Sequence, residues 1–290
     1  MKKVSLIYII LASVLWGTSG IFVHYTSSYG FSSLQMTLIR VLVSLVCMGI
    51  YIFIADRKLF KTNIKELLLF AGSGIGLFGT ASFYFSSMEL TSVSTGVVLM
   101  YTAPILVMLF SVTFLGEKLT KVKAASVVFM LVGCGLVSGI IGGIEFNPLG
   151  IVLGFLSGVS YAAYNIFTKI EMKHKSNPIT ANFYCFLFAT LVGILISEPQ
   201  EIPVFIAKNP VVTIPLTAGM GIVTCILPYL FYTMALKHIP AGTASSMAIL
   251  EPMSATVFSV AILNEQLHLT SVLGIILILG SVLVLSKQKE

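Results

Sequence analysis

Ten apolar runs of about 20 positions recur along the 290 residues, and the charges fall almost entirely between them. The runs cover roughly 5–25, 33–54, 67–88, 93–115, 122–141, 148–168, 179–197, 211–236, 241–263 and 270–286. At 1.5 Å per residue, a helix of that length crosses a hydrocarbon core about 30 Å thick. Stretches such as Leu67–Phe70 and Gly274–Val284 do not alternate between apolar and polar positions, as a membrane β-strand would require. Inside lipid the backbone must bond to itself. The pattern therefore predicts an all-α integral membrane protein with ten transmembrane helices. Between Glu198 and Pro215, three prolines are compatible with a helix end, a helix start or a re-entrant turn. The first run follows Lys2 and Lys3, as the core of a secretory leader would. It is longer than such a core and shows no small-x-small cleavage site, so it is read as a retained span.

Composition agrees with the pattern. Hydrophobic residues make up 57% of the chain and charged residues 10%, against about a quarter charged in a soluble domain. Mean hydropathy is +1.01. So few charges cannot cover a surface in water, so the long runs face the lipid bilayer. Cys47, Cys134, Cys185 and Cys225 all fall within runs, with neither metal-ligand spacing nor a disulfide framework. No metal and no cofactor is expected.

Charge then orients the chain. With the N-terminus inside, 15 of the 17 Lys and Arg residues lie on the inner side; Lys208 is outside and Arg40 sits within a span. This asymmetry predicts both termini in the cytoplasm of a multi-pass protein of the cell membrane. It also accounts for the net charge of +6 without nucleic acid, because basic inner loops sit beside anionic headgroups.

A repeat runs through the chain. Pro104 and Pro252 are 148 positions apart, as are Phe110 and Phe258, Ser111 and Ser259, Leu115 and Leu263, and Glu117 and Glu265. The segment Ser13–Phe22 aligns with Gly158–Phe167 at a spacing of 145, and Met88 and Leu90 match Met234 and Leu236 at 146. Five spans per copy is an odd number, so the second copy enters the membrane from the opposite side. Residues 1–142 and 146–290 thus read as two inverted five-helix repeats, with a site expected between them near the bilayer midplane.

The segments Thr102-Ala-Pro-Ile-Leu…Phe114-Leu-Gly-Glu-Lys-Leu-Thr120 and Pro240-Ala-Gly-Thr-Ala-Ser…Leu250-Glu-Pro-Met…Leu263-Asn-Glu-Gln-Leu267 resemble paired EamA domains of the drug/metabolite transporter superfamily. Trp16-Gly17 in the first span and Leu38-Ile-Arg-Val-Leu42 in the second fit the same pattern. The resemblance covers essentially the whole chain. It implies a permease for amino acids, other metabolites or drugs, with a central cavity lined by the first, third, fourth, sixth, eighth and ninth helices. Asn264 departs from the pattern where the first copy has Gly116, a difference expected to affect a loop.

Several residues are candidates for the chemistry. Glu251 lies about ten residues into the ninth span, where a carboxylate is costly and marks a functional site by default. It would bind a substrate ammonium or a coupling proton, or else cap a broken helix. Pro252 and Pro104 remove helix bonds, and are expected to kink their helices and free the carbonyls of Ala248 and Met100. Arg40 would hold a carboxylate through its planar fork, or snorkel outward. Ser13, Trp16, Gly17, Gly20 and His24 share one face of the first helix, with His24 at its outer end. Gly154, Gly158, Tyr161 and Asn165 share a face of the sixth, and Ser73, Thr80, Tyr84 and Ser87 one of the third. Trp16 and Tyr161 are repeat partners, expected to face each other as an aromatic wall for apolar groups or organic cations. Tyr101 and Tyr229, beside the kinked segments, are placed in the same cavity. The Gly150, Gly154, Gly158 stripe serves close helix packing, in the bundle or in a homodimer. Glu117 and Glu265 end their spans and are expected to favour the N-terminus of the next helix.

No nucleotide-binding Gly-x-x-x-x-Gly-Lys-Ser/Thr loop is present, no His-Glu-x-x-His motif, and no segment long enough for a soluble domain. An enzyme is therefore a poor reading. The expectation is a secondary active transporter of small metabolites such as amino acids, an exporter in the first instance, working by alternating access. Organic cations such as quaternary amines, or drugs, are the alternative cargo. A membrane scaffold or sensor is the alternative class, and it would not need a mid-membrane acid.

Overall fold

A computed structural model describes residues 2–139, 147–264 and 266–287. Glu265, Lys289 and the end of the expected span 122–141 lie outside the described residues. Among the described residues there is no strand, and nine helical stretches are long and apolar enough to cross a membrane. The first joins α1 (Lys2–Gly17) and α2 (Ser19–Ser27) across a break at Thr18. Then come α3 (Ser33–Ala55), α4 (Ile64–Leu90) and the pair α5 (Val93–Met100) and α6 (Ala103–Leu115). After α7 (Lys121–Val137) follow α8 (Pro148–Lys173) and α9 (Pro178–Ile196). A short α10 (Ile202–Lys208) leads into α11 (Pro210–Gly221), which continues through a π-turn, Ile222–Ile226, into α12 (Leu227–Leu236). The last spans are α13 (Ala241–Met247) with α14 (Leu250–Leu263), and α15 (Leu269–Ser286). α7, at 17 residues, is about 25 Å long and is not among the nine.

Polar side chains start the helices. Ser32 and Gln35 form a reciprocal capping box at α3, while Asn63, Thr120 and Asn147 accept the third amide of α4, α7 and α8. In the proline-rich stretch, Pro199, Pro203 and Pro210 each sit in the first turn of a short 3₁₀ turn or helix, where no amide is needed. That stretch is a series of three starts, a 3₁₀ turn and two helices.

Glycines set the closest approaches. A Cβ on Gly76 would lie 2.9 Å from the Tyr164 amide nitrogen, so α4 and α8 touch at backbone distance. Gly133 and Gly274 bring α7 and α15 together in the same way. Gly150, Gly154 and Gly158 receive Thr91, Leu99 and Thr102, so that stripe is used inside the bundle. Leu195, Val211 and Ile54 are among many large apolar side chains left exposed on the outer face.

The expected kinks are complete interruptions. α5 stops before Tyr101 and α13 before Ala248; Pro104 and Pro252 stand second and third in the helices that follow. The carbonyl of Ala248 is not free, because the Glu251 amide donates to it at 2.9 Å. α6 and α14 end alike, on Gly116 (φ 69°) and Asn264 (φ 57°), both left-handed. Asparagine is the residue that best replaces glycine in that conformation, so the sequence difference leaves the turn unchanged. Glu117 does favour a helix N-terminus, but that of α13 and not of α7. Lys169, expected beside headgroups, is buried and bonded to the end of α12.

Candidate functional site

The interruptions and the α1–α2 break meet around a cavity of about 810 Å³. Gly17 and Gly158 permit this convergence. A Cβ on Gly17 would stand 2.6 Å from Ser254 Cβ, and one on Gly158 2.7 Å from Thr102 Oγ1, so α1 seats against α14 and α8 against the α5–α6 junction. The cavity opens at one end of the bundle, between Gly20, Val23, Met88, Val93, Gly139, Gln266 and His268. Its floor is made of the buried rings of Trp16, Tyr101 and Tyr164.

Glu251, the second residue of α14, lines this cavity, and its Oε2 accepts a hydrogen bond from the Tyr101 hydroxyl at 2.9 Å. The bond links the α5–α6 junction to α14, and the helix N-terminus beneath the carboxylate favours its charge. Arg40, on α3, lines the same cavity with its Nε buried and without a hydrogen-bond partner. Trp16 Nε1 and the Tyr164 hydroxyl are also buried without partners. The rings form a continuous series. Trp16 meets Tyr229 edge-on at 5.1 Å between centroids, Tyr229 meets Tyr164 at 5.5 Å, and Tyr164 stacks on Tyr161 at 6.4 Å. Trp16 and Tyr161 are thus joined through Tyr229 and Tyr164 and do not meet directly. Tyr84 and Phe85 add to the aromatic lining from α4.

Of the expected residues, Glu251, Arg40, Trp16, Tyr84, Tyr101, Tyr161, Tyr229 and Pro252 come together; Pro104 and Asn165 stay outside the lining. Asn165 is fully buried. Its Nδ2 donates to the Tyr161 carbonyl at 2.7 Å and its Oδ1 accepts from the Tyr232 hydroxyl, so its amide is consumed in joining α8 to α12. Ser13, Ser73 and Ser87 likewise bond to carbonyls inside the packing, and His24 is exposed at its helix end. Tyr164 was not expected; it follows Tyr161 by one helical turn, and that spacing was its signal. Glu171, in the last turn of α8 beyond the expected span, is 1% exposed with one carboxylate oxygen unpartnered, outside the cavity lining.

A multi-pass helical protein with an apolar outer surface and a charged, aromatic cavity open at one end is a membrane protein of the transporter class. It belongs to the EamA-like transporter family, whose pattern matches residues 3–139 and again 148–287. A protein of Helicobacter pylori described as an uncharacterized transporter is 30% identical over 96% of this chain and 93% of its own length. An uncharacterized transporter of Archaeoglobus fulgidus is 25% identical, with 95% of this chain and 94% of that protein covered. The uncharacterized transporter YxxF of Bacillus subtilis is also 25% identical, covering 96% of this chain and 88% of its own. A solved crystal structure, 20% identical, shares the fold at a TM-score of 0.79 over 97% of this chain and 95% of that one. Family and relatives are named for transport, not for catalysis.

Proposed function

We propose that this protein is a secondary active transporter that carries small metabolites such as amino acids across the cell membrane, outward in the first instance, by alternating access. α7 counts as the tenth span, both termini face the cytoplasm, and 1–142 and 146–290 act as two inverted halves. Support for the halves comes from the matched interruptions and the matched left-handed ends of α6 and α14. The observation that carries the reading is the Tyr101–Glu251 bond. It orients a carboxylate from the other half within a cavity whose described lining runs to one end of the bundle. Glu251 takes the substrate ammonium or a coupling proton, Arg40 takes a carboxylate, and the aromatic series takes the side chain. A second reading, an organic cation without a carboxylate, is favoured by the rings around Glu251. A scaffold has no use for such a cavity. The small-residue stripes are consumed inside the bundle, so a homodimer would need another face.

The test is a thermal-shift screen of the purified protein against amino acids, amines and other metabolites, followed by uptake of the hits in proteoliposomes. A ligand at 100 times its Kd raises stability by about 2.7 kcal/mol. Trp16→Ala and Tyr161→Ala should each weaken the hit, and Trp16→Phe should retain much of it. No ligand in any class, with a folded protein, would leave a scaffold as the better reading.

A further inference from the structure

At the end of the bundle opposite the mouth, two side chains of opposite charge hold the turn between α12 and α13. Lys169 of α8 donates from Nζ to the carbonyls of Leu236 at 2.7 Å and Ile239 at 2.6 Å. Glu117, from the α6–α7 loop, accepts from the amide of Ala241 at 2.8 Å and that of Gly242 at 3.4 Å. Each charge meets the helix end that complements it, a cation on the Leu236 carbonyl ending α12 and on that of Ile239 in the turn, and an anion on the amides opening α13. One turn along α8, Lys173 donates to the carbonyl of Leu115, the last residue of α6, at 2.8 Å. Four elements are thus tied at one level by charge-assisted bonds.

That level closes a seam. Going from the cavity floor away from the mouth, α8 meets α12 first through the rings of Tyr164 and Tyr229, then through Asn165 and Tyr232, and last through Lys169 and Leu236. We infer that Lys169 and Glu117 form the latch of the closed gate, holding the α12–α13 turn against α8 while the cavity faces the other side. The inference rests on the alternating-access reading above. Opening the second side parts α8 from that turn and withdraws Nζ from two carbonyls. Water then replaces the lost partners, so the latch biases the equilibrium and does not lock it. The polar contacts on this seam also explain why Asn165 lies outside the cavity, since it belongs to the gate.

The test uses two single-cysteine reporters in a background with the four native cysteines replaced by alanine. Ser245→Cys lies on α13, fully buried, and Ala81→Cys lines the cavity. Glu117→Gln and Lys169→Met should each speed thiol modification at Ser245→Cys from the latch side by about an order of magnitude. The same changes should slow modification at Ala81→Cys from the mouth side. Lys169→Arg, which keeps charge and reach, should stay near the parent rate. Unchanged rates at Ser245→Cys overturn the latch, and so do rates that rise at both reporters, which mark a loosened fold. If Lys169→Met does not fold, the near-isosteric Glu117→Gln decides alone. Reporter rates need no substrate, so a silent latch is distinguishable from a protein that transports nothing.

Discussion

In the proposed site Glu251 and Tyr101 divide two duties, one supplying charge and the other direction. Glu251→Gln keeps an oxygen for the Tyr101 hydroxyl and should leave the fold intact while removing the charge. Binding of an ammonium-bearing ligand should fall by at least tenfold, since a hydrogen bond to a charged group contributes about 1.5–3 kcal/mol. Tyr101→Phe removes the donor and should weaken the same ligand less, through loss of orientation. Calorimetry on both variants checks this order; equal loss would make the hydroxyl itself a ligand group. The acid was legible from its depth in an apolar run, and the aromatic residues from helical spacing. Asn165 lies outside the lining although it shares a face with Tyr161, because a shared face tells only that a residue points inward. Whether its amide meets a cavity or another hydroxyl depends on a partner 67 positions away.

At the scale of the helix, glycine decides where elements meet. Gly158→Ala places a methyl 2.7 Å from Thr102 Oγ1 and 3.0 Å from the Leu99 carbonyl oxygen, against a backbone that cannot yield. Overpacking of this kind costs about 1–3 kcal/mol, so its melting temperature should drop by several degrees. Gly280→Ala meets nothing within 4 Å and should melt like the parent. Equal melting of the two would mean that α8 does not pack this tightly on the α5–α6 junction. Span existence was legible, because about 20 apolar residues have one stable form in lipid. The break at Thr18 was not, since no proline or charge marks it and hydropathy is blind to a helix interrupted within itself; the π-turn at Ile222–Ile226 had a signal in Pro228, which has no amide to offer the carbonyl of Thr224.

For the whole molecule, the proposed orientation makes a sharp prediction. Single cysteines at Ser28, Gln200 or Gln266 should react with an impermeant reagent on intact cells, and those at Thr62, Lys121 or His174 only after opening them. The first three positions lie at the mouth end of the helix bundle and the others at the latch end. Reaction of the second set first would invert the protein and make the open cavity face the cytoplasm. The proposed sidedness rests on the charge asymmetry of the loops. Which end the cavity lining reaches was not readable, because under the proposed alternating access one sequence holds the contacts of both states.

The π-turn at Ile222–Ile226 gives the eighth apolar run a rotational phase that its composition does not encode. A π-turn takes in one residue more than an α-turn, and each residue advances the helix by about 100°. Tyr229 and Tyr232 follow it and owe to that advance their meeting with Trp16 and Tyr164. Loss of a single residue there would swing both rings away from Trp16 and Tyr164 while the stretch stays apolar. The cavity wall can therefore be re-aimed in one mutational step that leaves every membrane span in place.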